Sequence, residues 1–295
     1  MIRNTRILKG CVVLGLLGAS GMMLSCAGAG KPKTQTVLLM ASTIGPIDSG
    51  IVGVLEDAFE KDSGIRVRHV GAGTGAAMDL ARKGNFDLVM VHAKSLEEKF
   101  VNEGYGTERI DLMYNDFVIM GPPGDPAGIK GMKKATEALK VIFDKKVPFV
   151  TRGDNSGTHV AEMVVWEKAN IKPSGPWYVK YEKGAEGNAP TLRFTDSKGA
   201  YTLMDRATFL SLQKEIKLVP LVEGDEVLLN YISLIPVNPK KLPLANYPDA
   251  MIFVQWLTSP EKGQKIIRDF GKDKYGAPLF FPNSKEWRRV YGGKS

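Results

Sequence analysis

From Thr36 onward, short apolar runs alternate with amphipathic stretches. Thr36–Ala41 (TVLLMA) is a β-type run between small polar residues. Over Ile51–Ser63 the apolar positions 51, 54, 55, 58 and 59 follow the i, i+3, i+4 spacing of a helix with one buried face. Asp48 or Ser49 is placed to cap it, and Gly64 to stop it. The pattern then predicts a strand over Ile65–Val70, a helix over Ala76–Lys83 and a buried strand over Phe86–His92. This alternation is the grammar of a parallel sheet covered by helices. Leu112–Met120 is a longer apolar run, and the glycines and prolines of 121–128 after it suit a crossover between two lobes.

A second alternation follows: helix Met132–Lys145, strand Val147–Val150, helix His159–Asn170, the run Tyr201–Arg206, helix Thr208–Lys214 and strand Leu218–Val222. Tyr231–Asn238 reads as the return crossover, and helices Asp249–Leu257 and Pro260–Phe270 end the chain. The expected fold is α/β. One lobe is 36–117 plus 232–295, the other is 118–231, and a cleft between them is where a ligand would sit.

The N-terminus changes the picture. Arg3, Arg6 and Lys9 precede Cys11–Leu24, an uncharged apolar run too short to span a bilayer comfortably. Residues 1–25 therefore read as a signal peptide, 26–35 as a tether, and the protein as exported. Met23-Leu24-Ser25-Cys26 resembles a bacterial lipobox, which makes Cys26 the expected lipidation site and gives a periplasmic or extracytoplasmic, membrane-anchored lipoprotein. Simple cleavage near Ala27–Ala29 is the alternative. Cys11 and Cys26 are the only cysteines, so no disulfide is available and a hydrophobic core must supply stability. The formal charge of +8 falls to +5 once the three cations of the signal are removed. The remaining basic residues are dispersed, which argues against a nucleic-acid partner. Three scattered histidines and no structural cysteine give no metal-ligand pattern, and no cofactor is expected.

Three loops follow strands and open helices: 42–50 (STIGPIDSG), 71–77 (GAGTGAA) and 152–158 (RGDNSGT). Ligands of such sheets sit beyond the carboxyl ends of the strands, where free N–H groups and the helix dipole suit an anion. GAGTG lacks both the dinucleotide spacing and the P-loop lysine. Thr74, Gly75 and Ala76 supply outward N–H groups. Arg152 is the only permanent cation in the three loops, and its fork matches a tetrahedral oxyanion. Ser156, Gly157 and Thr158 add hydroxyl and N–H donors, while Asp154 and Asn155 brace the turn. GDNSG also suggests a serine-hydrolase turn, but His159 lies too close along the chain to serve Ser156 easily.

Several segments together resemble the tungstate-binding solute receptors of Tup-type ABC importers. They are 42–50, GTG at 73–75, DLVMVHA at 87–93, MYNDFVIMGP at 113–122, DPAGI at 125–129 and TRGDNSGTH at 151–159. WY at 177–178, AYTLMDR at 200–206, LVEGD at 221–225 and VNP at 237–239 continue the likeness. It implies two Rossmann-like lobes joined by a two-segment hinge, the type II periplasmic-binding-protein architecture. It implies a monomer, not an enzyme, that captures tungstate and delivers it to an inner-membrane permease. The implied ligands are Ser42, Thr43, Thr74 with neighbouring N–H groups, Arg152 and Ser156–Thr158, with Tyr201 reaching the cleft or packing beside the hinge. Asp205 and Arg206 are expected to pair with each other.

Two departures stand out. The family's first loop is typically Thr-Thr-Thr-Ser, against Ser42-Thr43-Ile44-Gly45 here, and a charged Lys180–Arg193 replaces its Gly-Met-Gly segment. Molybdate, phosphate or an organic acid are therefore alternative ligands, and an exported serine hydrolase is the alternative class.

Overall fold

The computed structural model describes residues 37–292, so the signal, Cys26 and the tether lie outside it. Its strands are β1 (Val37–Thr43), β2 (Arg66–Ala72), β3 (Leu88–Val91), β4 (Ile110–Gly121), β5 (Phe149–Thr151), β6 (Tyr178–Lys180), β7 (Thr202–Asp205), β8 (Val219–Val222), β9 (Leu229–Pro236) and β10 (Phe281–Pro282). The main sheet runs β10-β4-β9-β3-β1-β2, with β7 and β8 on the far half of β4. β1 pairs in parallel with β2 and β3, but β9, β10, β7 and β8 all pair antiparallel. The expected parallel sheet is thus a mixed one, because β9 returns from the second lobe and enters against the direction of β3.

Continuous apolar strands bury both faces. Leu38, Met40, Leu88, Met90 and Leu234 pack on one side of the first-lobe sheet with Phe59 and Phe253. Ala41, Val89, Val91 and Ile235 pack on the other with Met78 and Phe100. β4 does the same in the second lobe, where Phe117 and Ile119 join one cluster and Val118 and Met120 another. The period of two inside an all-apolar run explains the lack of visible alternation. β4 itself passes through both lobes: Ile110–Asp116 pair with β9, and Phe117–Gly121 pair with β7 and β8.

Several expectations need correction. Helices Lys94–Asn102 and Asn188–Lys198 are additional to those predicted, and the chain continues past Phe270 through helices Lys272–Tyr275 and Lys285–Tyr291 and strand β10. Asp205 and Arg206 do not pair. Asp205 caps the helix Arg206–Leu212 and accepts from Asn188, whereas Arg206 reaches Asp116 at 2.5 Å and Glu223 at 2.7 Å. Successive residues at a helix start point apart, so each finds another partner.

Glu162 is 1% exposed in the second-lobe core, accepting from the Tyr178 hydroxyl at 2.6 Å and from Trp166 Nε1 at 3.1 Å. Burial pushes its carboxyl from 4.5 up to about 7, against the Tyr178 hydrogen bond. The folded value lies above the unfolded one, so stability is full below about pH 4.5 and lost as pH rises through about 7. Glu162→Gln should remove a penalty of about 3 kcal/mol at pH 8 and change little at pH 5. Thermal unfolding of both forms at the two pH values checks this; parallel pH slopes would refute it.

Candidate functional site

Thr43 stands opposite Ala72, and Ser42 opposite Met90, so β1, β2 and β3 end along one edge. Thr43 is the N-cap of the short helix Ile44–Asp48, Thr74 begins the helix Thr74–Arg82, and His92 follows β3. The segment 42–50, expected as a loop, thus holds a short helix of its own, and the second helix starts two residues before the expected Ala76; Thr43 and Gly73 are the extended residues that precede them. The first amide of the second helix to find a helical acceptor is Ala77, which bonds Gly73 O at 2.8 Å. The N–H groups of Thr74, Gly75 and Ala76 thus lie in the unpaired first turn, with Gly75 and Ala76 exposed. The Ser42 hydroxyl donates to the Thr43 carbonyl at 3.3 Å. The Thr43 and Thr74 hydroxyl oxygens are buried and have no hydrogen-bond partner among the described residues. Such a group typically costs about 1–3 kcal/mol.

In the second lobe β5 delivers the chain to Arg152. Gly153 and Asn155 adopt left-handed φ values of 61° and 59°, which fold 152–156 into a tight turn. The Asn155 amide donates to His159 Nδ1 at 2.9 Å. Asp154 accepts from the Ser156 amide at 3.1 Å and hydroxyl at 2.7 Å, and from Arg152 Nη2 at 2.6 Å. Burial opposes the Asp154 charge, but the Ser156 donors and the Arg152 charge outweigh it and hold the carboxyl below its ordinary value. Ser156 caps the helix Gly157–Lys168, whose first helix-type bond is Val160 N to Ser156 O. The Gly157 and Thr158 amides therefore remain in the unpaired turn. The Ser156 hydroxyl faces Asp154, and the His159 ring accepts from a main-chain amide, so the two side chains form no nucleophile–base pair.

Arg152 is held differently from the expected two-pronged grip, and Tyr201 follows the packing alternative. Arg152 donates from Nε and Nη2 to the Gly184 carbonyl at 3.2 and 3.1 Å, and from Nη1 to Asn188 Oδ1. With Asp154, these protein acceptors take four of its five N–H groups and leave one Nη1 hydrogen for a ligand. Tyr201 is 0% exposed in the second-lobe core. Its hydroxyl accepts from the Ala127 amide at 2.8 Å and donates to Asp125 at 2.9 Å, so it braces 125–127 instead of reaching the cleft.

Register brings the first two loops to one edge, and the third meets that edge through His92. A Cβ built on Gly157 would stand 3.8 Å from His92 Cε1. Sequence reasoning missed His92, although its place directly after a buried strand was a usable signal. It also lines a cavity of about 550 Å³ with Arg109, Asp111, Asn230 and Arg288. Among the described residues no His, Cys, Asp and Glu cluster could hold a metal ion, and no helix is long and apolar enough to cross a membrane.

The model of the PBP superfamily domain matches residues 29–261. A Haloferax volcanii protein named for anion binding in an ABC transporter is 44% identical over 90% of this chain and 77% of its own. The tungstate-binding protein TupA of Peptoclostridium acidaminophilum is 39% identical over 92% of this chain and 95% of its own. Among solved structures, the tungstate-binding protein TupA of Desulfovibrio alaskensis G20 is 42% identical, covers 84% of this chain and 99% of its own, and superposes with a TM-score of 0.77. With the strand ends and helix starts arranged as described, the chain belongs to the PBP superfamily and, within it, to the family of the tungstate-binding TupA proteins.

Proposed function

We propose that the protein is the substrate-binding component of an ABC importer, capturing tungstate intact between its lobes and delivering it to a membrane permease. It is exported, with Cys26 as its lipid anchor, and acts as a monomer. Lobe 1 comprises 36–117 with 232–295, and lobe 2 comprises 118–231. The anion is held by the Thr43 and Thr74 hydroxyls, by the amides of Thr74, Gly75 and Ala76, and by the amides of Gly157 and Thr158. Arg152 and Ser156 brace the second-lobe turn, with Arg152 supplying its remaining N–H and its charge. Ser42 positions Thr43. Closure about β4 and β9 adds one lobe's donors to the other's and excludes water, and the differential affinity for the closed form drives it.

The observation that carries this reading is the pair of buried, unpartnered hydroxyls of Thr43 and Thr74 at neighbouring strand ends. A desolvated donor without an acceptor destabilises the empty protein and becomes favourable only when an acceptor-rich ligand arrives. Thr43→Val keeps the shape and removes the hydroxyl. It should stabilise the ligand-free protein by about 1–2 kcal/mol while weakening tungstate binding about tenfold. Unfolding and calorimetry measure the two effects. Equal or tighter tungstate binding by the variant would contradict the reading, as would a thermal-shift panel in which molybdate, phosphate or citrate outranks tungstate.

A further inference from the structure

His92 stands where the two lobes meet, yet the anion-binding set above omits it. It follows β3 at the same edge as Thr43 and Thr74, and its Cε1 faces Gly157 in the unpaired first turn of the second-lobe helix. Both ring nitrogens flank that carbon, so they stand close to the helix start that carries the Gly157 and Thr158 amides. Near enough for its charge to act on the ring is Glu97, 0% exposed. One Glu97 oxygen accepts from Arg109 Nε at 2.6 Å and from the Ser233 hydroxyl at 2.7 Å. Ser233 is in register with Val91, the residue before His92. The other Glu97 oxygen is buried and has no hydrogen-bond partner among the described residues.

We propose that His92 is a further anion-contacting residue, donating from lobe 1 to the captured oxyanion and taking up a proton as it binds, with the nearby Glu97 carboxylate stabilising the imidazolium. This rests on the preceding reading of the cleft as an oxyanion site. Burial holds the unliganded imidazole below its ordinary value, against the opposing pull of Glu97, so the ring enters binding neutral. The charged groups around it balance closely. Lys94 and Glu97 lie on its own side, Arg109, Asp111, Glu226, Tyr231 and Arg288 line or adjoin its cavity, and Arg152 and Asp154 neutralise each other on the facing loop beside His159. A dianion placed against the ring is the largest change in its field, and it favours the protonated form. The imidazole value in the complex then exceeds that of the free protein. Affinity rises as pH falls through the complex's value and levels off below the free protein's value.

Calorimetry with sodium tungstate between pH 5.5 and 8, in buffers of different ionisation heat, tests this on the mature chain. The wild type should take up part of a proton and bind about tenfold tighter at pH 6 than at pH 8. His92→Ala should bind about 30-fold more weakly at pH 7, whereas His92→Gln, which keeps an N–H donor, should stay within about fivefold. His92→Gln should also show a flat pH profile and no proton uptake, which a purely structural role would not produce. Wild-type binding with the pH profile retained in His92→Gln, or with His92→Ala unchanged, overturns the proposal alone. Failure of the wild type to bind tungstate overturns the oxyanion reading and the proposal with it.

Discussion

Arg152→Ala is expected to weaken tungstate binding by about 100-fold, the largest loss from any single side chain of the site. The reason differs from a simple two-pronged grip, because four of the five guanidinium N–H groups already serve Asp154, Gly184 and Asn188. Removing the cation leaves the Asp154 carboxylate uncompensated beside the start of the helix Gly157–Lys168, where it would repel a dianion. It also frees the Gly184 carbonyl and Asn188 from the loop. Arg152→Lys restores the charge without the planar fork, and should recover about tenfold of that loss. Titration calorimetry at pH 7.5 separates the cases, and an alanine variant within threefold of wild type would refute the assignment.

Gly184→Ala should damage the same loop from the opposite side. A Cβ at Gly184 would lie 2.1 Å from the Arg152 carbonyl oxygen and 2.9 Å from its carbonyl carbon. Both neighbours are main chain, so no side chain can swing aside, and the 152–156 turn or the 184–186 turn must move. The expected cost is about 3 kcal/mol of stability, at the upper end of typical overpacking. Tungstate affinity should fall about 30-fold at temperatures where the variant stays folded. Gly124→Ala is the control, since nothing lies within 4 Å of its added methyl. Unfolding curves that do not distinguish the two substitutions would show that the close approach has no energetic weight.

Gly184 and Asn188 lie in the charged segment Lys180–Arg193, and the apolar rhythm gives no sign of their task. A hydrogen bond from Arg152 to a main-chain carbonyl 32 residues away leaves no periodic trace. The same holds for the C-terminal segment. Gln264 is 0% exposed, donates to the Leu112 and Leu257 carbonyls and accepts from the Asn283 and Ser284 amides. That one amide side chain fastens residues after Phe270 to β4, so strand and helix continue where hydrophobic spacing had stopped. Helix Lys94–Asn102 was equally invisible, because Glu97 is one of its two fully buried residues and answers an arginine instead of an apolar neighbour.

What the apolar pattern did convey was the run from β1 through helix Ile51–Ser63, β2 and helix Thr74–Arg82 to β3, the long strand β4 and the loops at the strand ends. Those features depend on burial, which sequence periodicity records directly. The direction of β9, the inward turn of Tyr201 and the position of His92 depend on pairing between distant segments. They become legible only when those segments are in place.

The continuity of β4 also orders events in time. The first-lobe sheet needs β9 between β3 and β4, and β10 at its margin, and both strands come from the last quarter of the chain. As the polypeptide emerges, β1, β2 and β3 can pair among themselves, but β3 and β4 must wait for more than a hundred residues after β4 until β9 can join them. The middle lobe, by contrast, already owns its half of β4 and is free to form before the first-lobe sheet is complete.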